Sequence, residues 1–329
     1  MSRFAFVSMF MVATLCFSRS AATVQWPPES FTNLKVLPQN ITRRELTTLM
    51  GSFTRALGVR CTHCHVGEEG QPLSTYKFAA DDKPAKRTAR LMIEMVRAIN
   101  STHLPALDKR GDPPVQVECA TCHRGTTEPR MLQDVLRREY QAGGLEALKA
   151  TYRTLRERYY GRFTYDFSEV PLADVAGEIW DSGAPDDGVQ LHAFNVEMNP
   201  GSAFAKRQHA SLAITRSFRE EGIERGKARY RDLRERYGPT IFVEPLLDEI
   251  GSRLLNANQI DLAIAVFSLN VEAFATSVAT HERLGDAYLK GGDTTRAVES
   301  YERALKVDPN NRGVKEKLEK LRGPSGLAK

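Results

Sequence analysis

The stretch "LGDAYLKGGDTTRAVESYERALKVDPNN", residues 284–311, reads as two amphipathic helices joined by a short glycine turn. Small residues, Gly285 and Ala297, stand where the helices must approach closely. Larger ones, Tyr288, Tyr301 and Leu305, fill the gap between them, and Asp308-Pro309 stops the second helix. The pattern recurs upstream: Gly251 and Gly285, Leu255 and Leu289, Ala263 and Ala297, and Phe267 and Tyr301 are each 34 residues apart. A longer echo overlies it. "YRTLRERY" (152–159) returns as "YRDLRERY" (230–237) at an offset of 78, and "FNVE" (194–197) as "LNVE" (269–272) at an offset of 75. Fixed periods of this kind predict stacked helix pairs, each of which buries its apolar face only against a neighbour.

The small–large pattern of 284–311 resembles a tetratricopeptide repeat. The periods place four helix pairs near 169–202, 206–238, 244–277 and 278–311, with the polar helix "NRGVKEKLEKL" (311–321) closing the array. The expected fold class is all-α: a small helical module at 23–135, linker helices at 136–168, and tetratricopeptide-like repeats with their capping helix at 169–322.

The module is set by two short strings. "GVRCTHCHVGEE" (58–69) and "VECATCHRGTTE" (117–128) each contain Cys-x-x-Cys-His, and no other cysteine follows residue 22. That spacing is the attachment signature of c-type haem. Two thiols three positions apart lie on one side of a helical turn, where they can form thioethers along one porphyrin edge. The next histidine then projects beneath the ring as an axial ligand to iron. The expected cofactors are therefore two covalent haems, held by Cys61, Cys64, Cys119 and Cys122, with His65 and His123 on the irons. A zinc site would not need the trailing histidine twice, and the interval from Cys64 to Cys119 is long for a ribbon loop. Paired redox sites or structural disulfides are the other readings of four cysteines. His63, inside the first motif, is expected to be an exposed side chain.

Methionines are the natural sixth ligands. Thr42 and Glu45 form a capping box that opens a helix ended by Gly58, and Met50 on that helix stands fifteen residues before His65. A second helix, near 83–100, carries Met92 and Met95 ahead of the second motif. Met95 is taken as the second iron's ligand, with Met92 and His103 as alternatives. Lys83, Lys86, Arg87 and Arg90 on this helix read either as a solvated face or as a basic surface for an acidic redox partner.

At the N-terminus, Arg3 is followed by the apolar run 4–17 and then by small residues, which predicts an export signal cut after Ala22. A retained membrane anchor is the alternative. Leu15 before Cys16 argues against a lipidated cysteine. Net charge is +5 over 329 residues with both signs interspersed, which makes no case for nucleic-acid binding. Export also agrees with haem attachment, which takes place outside the cytoplasm.

"NLKVLP" (33–38), "ELTTLMGSFTRALGVRCTHCHVG" (45–67), "RTARLMIEMVRAIN" (87–100) and "ECATCHRG" (118–125) together resemble the cytochrome c subunit of bacterial photosynthetic reaction centres. The resemblance covers about 31–130. It implies a helical module of haems that pass electrons toward a photo-oxidised pigment, with Met50 and His65 on one iron. That subunit has four haem motifs in two paired halves, one of whose haems takes a histidine from the other half. This chain has two motifs, so it corresponds to one half, and the helical repeats are foreign to the family. The function expected is periplasmic electron transfer between redox partners, with the repeats docking a protein and any membrane association running through a partner complex. A dihaem peroxidase or oxidase, or a haem-based sensor scaffold, are the alternatives. No spaced His/Glu pair supplies the distal acid–base group a peroxidase needs.

Overall fold

The computed structural model describes residue 28 and residues 30–108 and 111–322. The expected export signal lies outside them. The chain divides into two compact units, one ending at Pro129 and the other beginning at Arg130. Both are helical, with no β-sheet among the described residues, and none of the helices is long and apolar enough to cross a membrane.

The first unit is built on α1 (Arg43–Leu57), α2 (Pro84–Ala98) and the one-turn helix α3 (Cys119–His123). α1 starts at the predicted capping box, with Glu45 Oε2 accepting from the Thr42 amide at 2.8 Å and Thr42 Oγ1 accepting from the Glu45 amide at 3.3 Å. It ends at Gly58, whose left-handed backbone (φ 64°) closes the helix. α2 begins on Pro84 and runs into a π-helical turn, Ile99–His103. Of the residues in these three helices only Ala56 is fully buried. A module of this size has little apolar surface to bury by itself.

The second unit runs from α4 (Leu132–Tyr159) through the pairs α5 (Glu169–Asp181) with α6 (Pro185–Met198), α7 (Ala203–Glu221) with α8 (Ile223–Tyr237), α9 (Glu244–Asn256) with α10 (Ile260–Ala273), and α11 (Val278–Lys290) with α12 (Thr294–Val307). The capping helix α13 (Arg312–Arg322) follows. Close approach within the pairs depends on glycine. A β-carbon on Gly251 would lie 2.6 Å from the Phe267 ring, and one on Gly285 would lie 2.6 Å from the Tyr301 ring. These are the positions 34 apart in the sequence.

The longer echo has a structural cause as well. Asn195 and Asn270, the asparagines of FNVE and LNVE, are buried and donate to the backbone carbonyls of Glu169 and Glu244 at 2.8 and 3.2 Å. Each ties the second helix of a pair to the start of the first. Tyr152 packs edge-on against Phe167 and Phe194, and its counterpart Tyr230 packs edge-on against Phe242. Eight positions carry the chain from Tyr159 to Phe167, and five from Tyr237 to Phe242. The longer first loop accounts for the two offsets, 78 before the loop and 75 after it. It follows that α4 beyond its kink at Gly144 is the counterpart of α8. Leu148 and Tyr152, in the stretch read from sequence as linker helices, are fully buried in the core with Leu172, Val175 and Leu191.

Candidate functional site

The first Cys-x-x-Cys-His forms a single tight turn. Residues Cys61–His63 are a 3₁₀ helix, and the amides of Cys64 and His65 both donate to the Cys61 carbonyl, at 3.3 and 3.0 Å. The turn opens into a cavity of about 670 Å³ lined by Cys61, Cys64, His65 and Met50, with Leu46, Phe53 and Leu57 of α1 and Ala89 and Ile93 of α2 among its walls. Both thiols are free and half-buried, and burial raises the Cys64 pKa against the pull of Lys83. Burial is also the main cause that lowers the His65 pKa; Lys86 and Lys83 add to it, and a backbone contact with Phe78 opposes it. The imidazole is thereby kept neutral, the form that ligates metal. The Phe78 ring lies 4.8 Å from the His65 ring. His63 is exposed, as expected.

This donor set fits a covalent haem. Two thiols, a neutral imidazole and a thioether converge on one largely apolar space, and that combination suits iron-porphyrin.

The basic residues at the start of α2 are engaged within the module. Lys86 donates to the Phe78 and Ala80 carbonyls at 2.8 Å each, and Lys83 donates to the Thr62 carbonyl inside the first motif. Arg87 donates to the Asp81 carbonyl at 2.8 Å, and Arg90 grips the Asp81 carboxylate at 2.8 and 2.9 Å. Lys35 and Asn33 reach the same carboxylate at 2.9 Å. Hydrogen bonds from Arg90 and then Lys35 hold the Asp81 carboxyl far below the usual carboxylate range. Hydrogen bonds from these cations fasten the 33–36 segment and the loop before α2 around the cavity, while Arg87 stays exposed. Asp81 is the hub of the arrangement and carried no signal in the sequence.

The second motif is α3. The Glu118 amide donates to Thr121 Oγ1 at 2.9 Å at its start, and Arg124 in left-handed conformation (φ 49°) ends it. His123 Nδ1 donates to the Thr126 carbonyl at 2.9 Å, which fixes the tautomer and leaves the Nε2 lone pair for a metal. Asn100, in the π-turn after α2, pairs with the Val117 backbone through both its amide groups at 2.8 Å, two residues before Cys119. A side chain that sequence reasoning passed over thus ties the α2 end to the second motif.

The structure does not bring the second set of ligand candidates together as it does the first. Met92 and Met95 are 37% and 46% exposed on α2, and His103 is exposed on the π-turn. None of the three lines the cavity that joins Met50 to His65. The α2 residues that do are Lys86, Ala89, Arg90 and Ile93.

Two Cys-x-x-Cys-His turns on an all-α module are the pattern by which c-type cytochromes hold haem. Residues 19–141 match the family model described as photosynthetic reaction centre cytochrome C subunit, and residues 278–311 match the tetratricopeptide repeat. The chain is 34% identical over 92 residues to the photosynthetic reaction center cytochrome c subunit of Rubrivivax gelatinosus, an alignment of 25% of this chain and 23% of that protein. It is 33% identical over 92 residues to cytochrome c-554 of Chloroflexus aurantiacus, covering 28% of this chain and 20% of that one. The match therefore spans about a quarter or less of each relative's length. Among solved structures, MamA of Desulfovibrio magneticus RS-1 overlaps 48% of this chain and 85% of its own at 15% identity and a TM-score of 0.29. The Thermus thermophilus protein TTC0263 overlaps 58% and 96% at 17% identity and a TM-score of 0.28. Overlaps this loose carry no argument.

Proposed function

We propose that this chain is an exported dihaem c-type cytochrome that relays electrons between redox proteins, with the helical repeats docking a partner. Cys61 and Cys64 would bind one haem, with His65 and Met50 on its iron. Cys119 and Cys122 would bind the other, with His123 and Met95 on its iron, Met92 and His103 being the alternatives to Met95. Bound haem supplies one-electron chemistry. The protein's part is to hold each ligand in the right protonation state, to exclude water from the first site, and to keep the ligands fixed so that little rearranges when the charge changes. The observation that carries the reading is the one cavity shared by Met50, Cys61, Cys64 and His65. The partners are a donor and an acceptor protein, and the role is a carrier's rather than an enzyme's.

The test is expression in a host with working cytochrome-assembly machinery, followed by intact mass and optical spectroscopy. The expected mass exceeds that of the mature polypeptide by two haems, and a Cys61→Ser, Cys64→Ser variant lacks one of them. Met50→Ala should lose the far-red methionine–ferric band of the first haem while keeping both attachments. A colourless product refutes the proposal, and so does a Met50→Ala spectrum identical to wild type.

A further inference from the structure

The two motifs are joined through α1. In its last turn the Ala56 carbonyl accepts a hydrogen bond from the Gly125 amide at 2.8 Å. Gly58, the α1 cap, sits so close to the same residue that a β-carbon on it would fall 2.1 Å from the Gly125 oxygen. Gly125 is in the middle of the turn that holds the second motif's histidine. That turn is closed three times over: the Thr126 amide and hydroxyl both donate to the His123 carbonyl at 2.9 Å, and His123 Nδ1 donates to the Thr126 carbonyl at 2.9 Å. Ala56, the one fully buried residue of α1, lies at this contact.

We infer that α1 is a rigid strut between the two axial-ligand systems, and that Gly58 is a positioning residue for His123 as well as a helix cap. The inference rests on the dihaem reading above. Met50 and Ala56 share one helix, so the segment that carries the first methionine also bears on the turn that orients the second imidazole. Capping a helix needs only a residue tolerant of positive φ, and asparagine serves that purpose in many helices. Seating the cap directly on the Gly125 carbonyl needs the absence of a side chain. An imidazole's orientation and the hydrogen bond on its far nitrogen tune the metal it binds. A disturbance at Gly58 should therefore be read out at the second haem, although Gly58 is adjacent in sequence to the first.

The experiment is a redox titration with optical and low-temperature EPR detection on full-length holoprotein, comparing wild type with Gly58→Ala, Thr126→Val and Thr48→Gly. Thr48 is an exposed α1 residue outside both the cavity and the clamp, so Thr48→Gly weakens the helix without touching the contact. The expected result is that Gly58→Ala and Thr126→Val shift the second haem's midpoint potential and ferric EPR signal. The first haem's far-red methionine band should stay in place, and Thr48→Gly should move neither haem. Should Gly58→Ala not accumulate, amide exchange at Gly125 in wild-type holoprotein decides instead: its hydrogen bond to the Ala56 carbonyl should protect it, and exchange at the free-peptide rate overturns the inference. Two haems with the second one's potential and EPR signal unmoved overturn the inference, as does an equal shift in Thr48→Gly. Wild-type protein without two haems overturns the dihaem reading itself, a separate outcome visible in the mass.

Discussion

Acid should weaken the repeat array as pH falls below about 6.5, because two of its buried histidines resist protonation. His192 on α6 and His209 on α7 are 2% and 7% exposed. Burial is the main cause holding each pKa down at about 4; His209 adds to the effect on His192, while Arg236 and Arg229 add to that on His209. His209 Nδ1 also shares a 2.7 Å hydrogen bond with the Tyr237 hydroxyl. Above pH 6.5 both rings are neutral folded or unfolded, and they contribute nothing to the pH dependence. From pH 6.5 down to about 4 the unfolded chain takes up a proton that the folded chain refuses, so stability falls with falling pH. The slope is about 1.4 kcal/mol per pH unit for each histidine, or about 3 kcal/mol each across the window. Both together amount to a large part of the 5–15 kcal/mol that usually separates a folded domain from its unfolded state, taken as a rough range. Carboxylates held low by arginine, such as Glu178 beside Arg137, add their own loss only below the ordinary carboxylate range. The assay is urea unfolding followed by far-ultraviolet circular dichroism at pH 7.5, 6.5, 5.5 and 4.5, for wild type and for His192→Leu, His209→Gln. The glutamine keeps a partner for Tyr237. The double variant should have the flatter profile, by several kcal/mol between pH 6.5 and 4.5. Parallel profiles would refute the reasoning.

Two further outcomes follow from the packing. Gly251→Ala drives a β-carbon into the Phe267 ring at 2.6 Å and should cost about 1–3 kcal/mol, with Phe267→Leu recovering part of the loss in a double-mutant cycle. Simple additivity of the two changes would show that the ring had moved aside. Asn100→Ala removes both hydrogen bonds to Val117 and leaves its backbone groups without that partner, a loss of about 1–3 kcal/mol of local stability. Faster amide exchange at Val117 is the expected signature, and unchanged exchange would mean that the segment is held some other way.

Much of the local design was legible in the sequence. The Thr42–Glu45 cap, the Gly58 stop, the two turns and the helix pairs are all written within a few residues of themselves. The duplication was legible as well, but its two offsets were explained only by the longer loop before Phe167. The sequence did not show what the cations at the start of α2 bind. A run of Lys and Arg looks the same whether it faces water or an internal carboxylate, and Lys86 and Arg90 are set apart from exposed Arg87 only by Asp81, brought in by the loop. The reading failed for 136–168, because a helix before the first complete pair looks like a connector until its tyrosine is found in the core.

What the sequence determined by itself is the chemistry: two sets of thiols and imidazole, each fixed by the geometry of one helical turn, and an all-α scaffold fixed by its periods. Tertiary structure decided which of these parts act together. Met50 meets His65 in one cavity, and the end of α1 rests on the turn behind His123. Contacts between residues as far apart as Ala56 and Gly125 depend on how helices pack. A glycine at a helix end has the same local sequence signature whether its flank is open or pressed against another backbone.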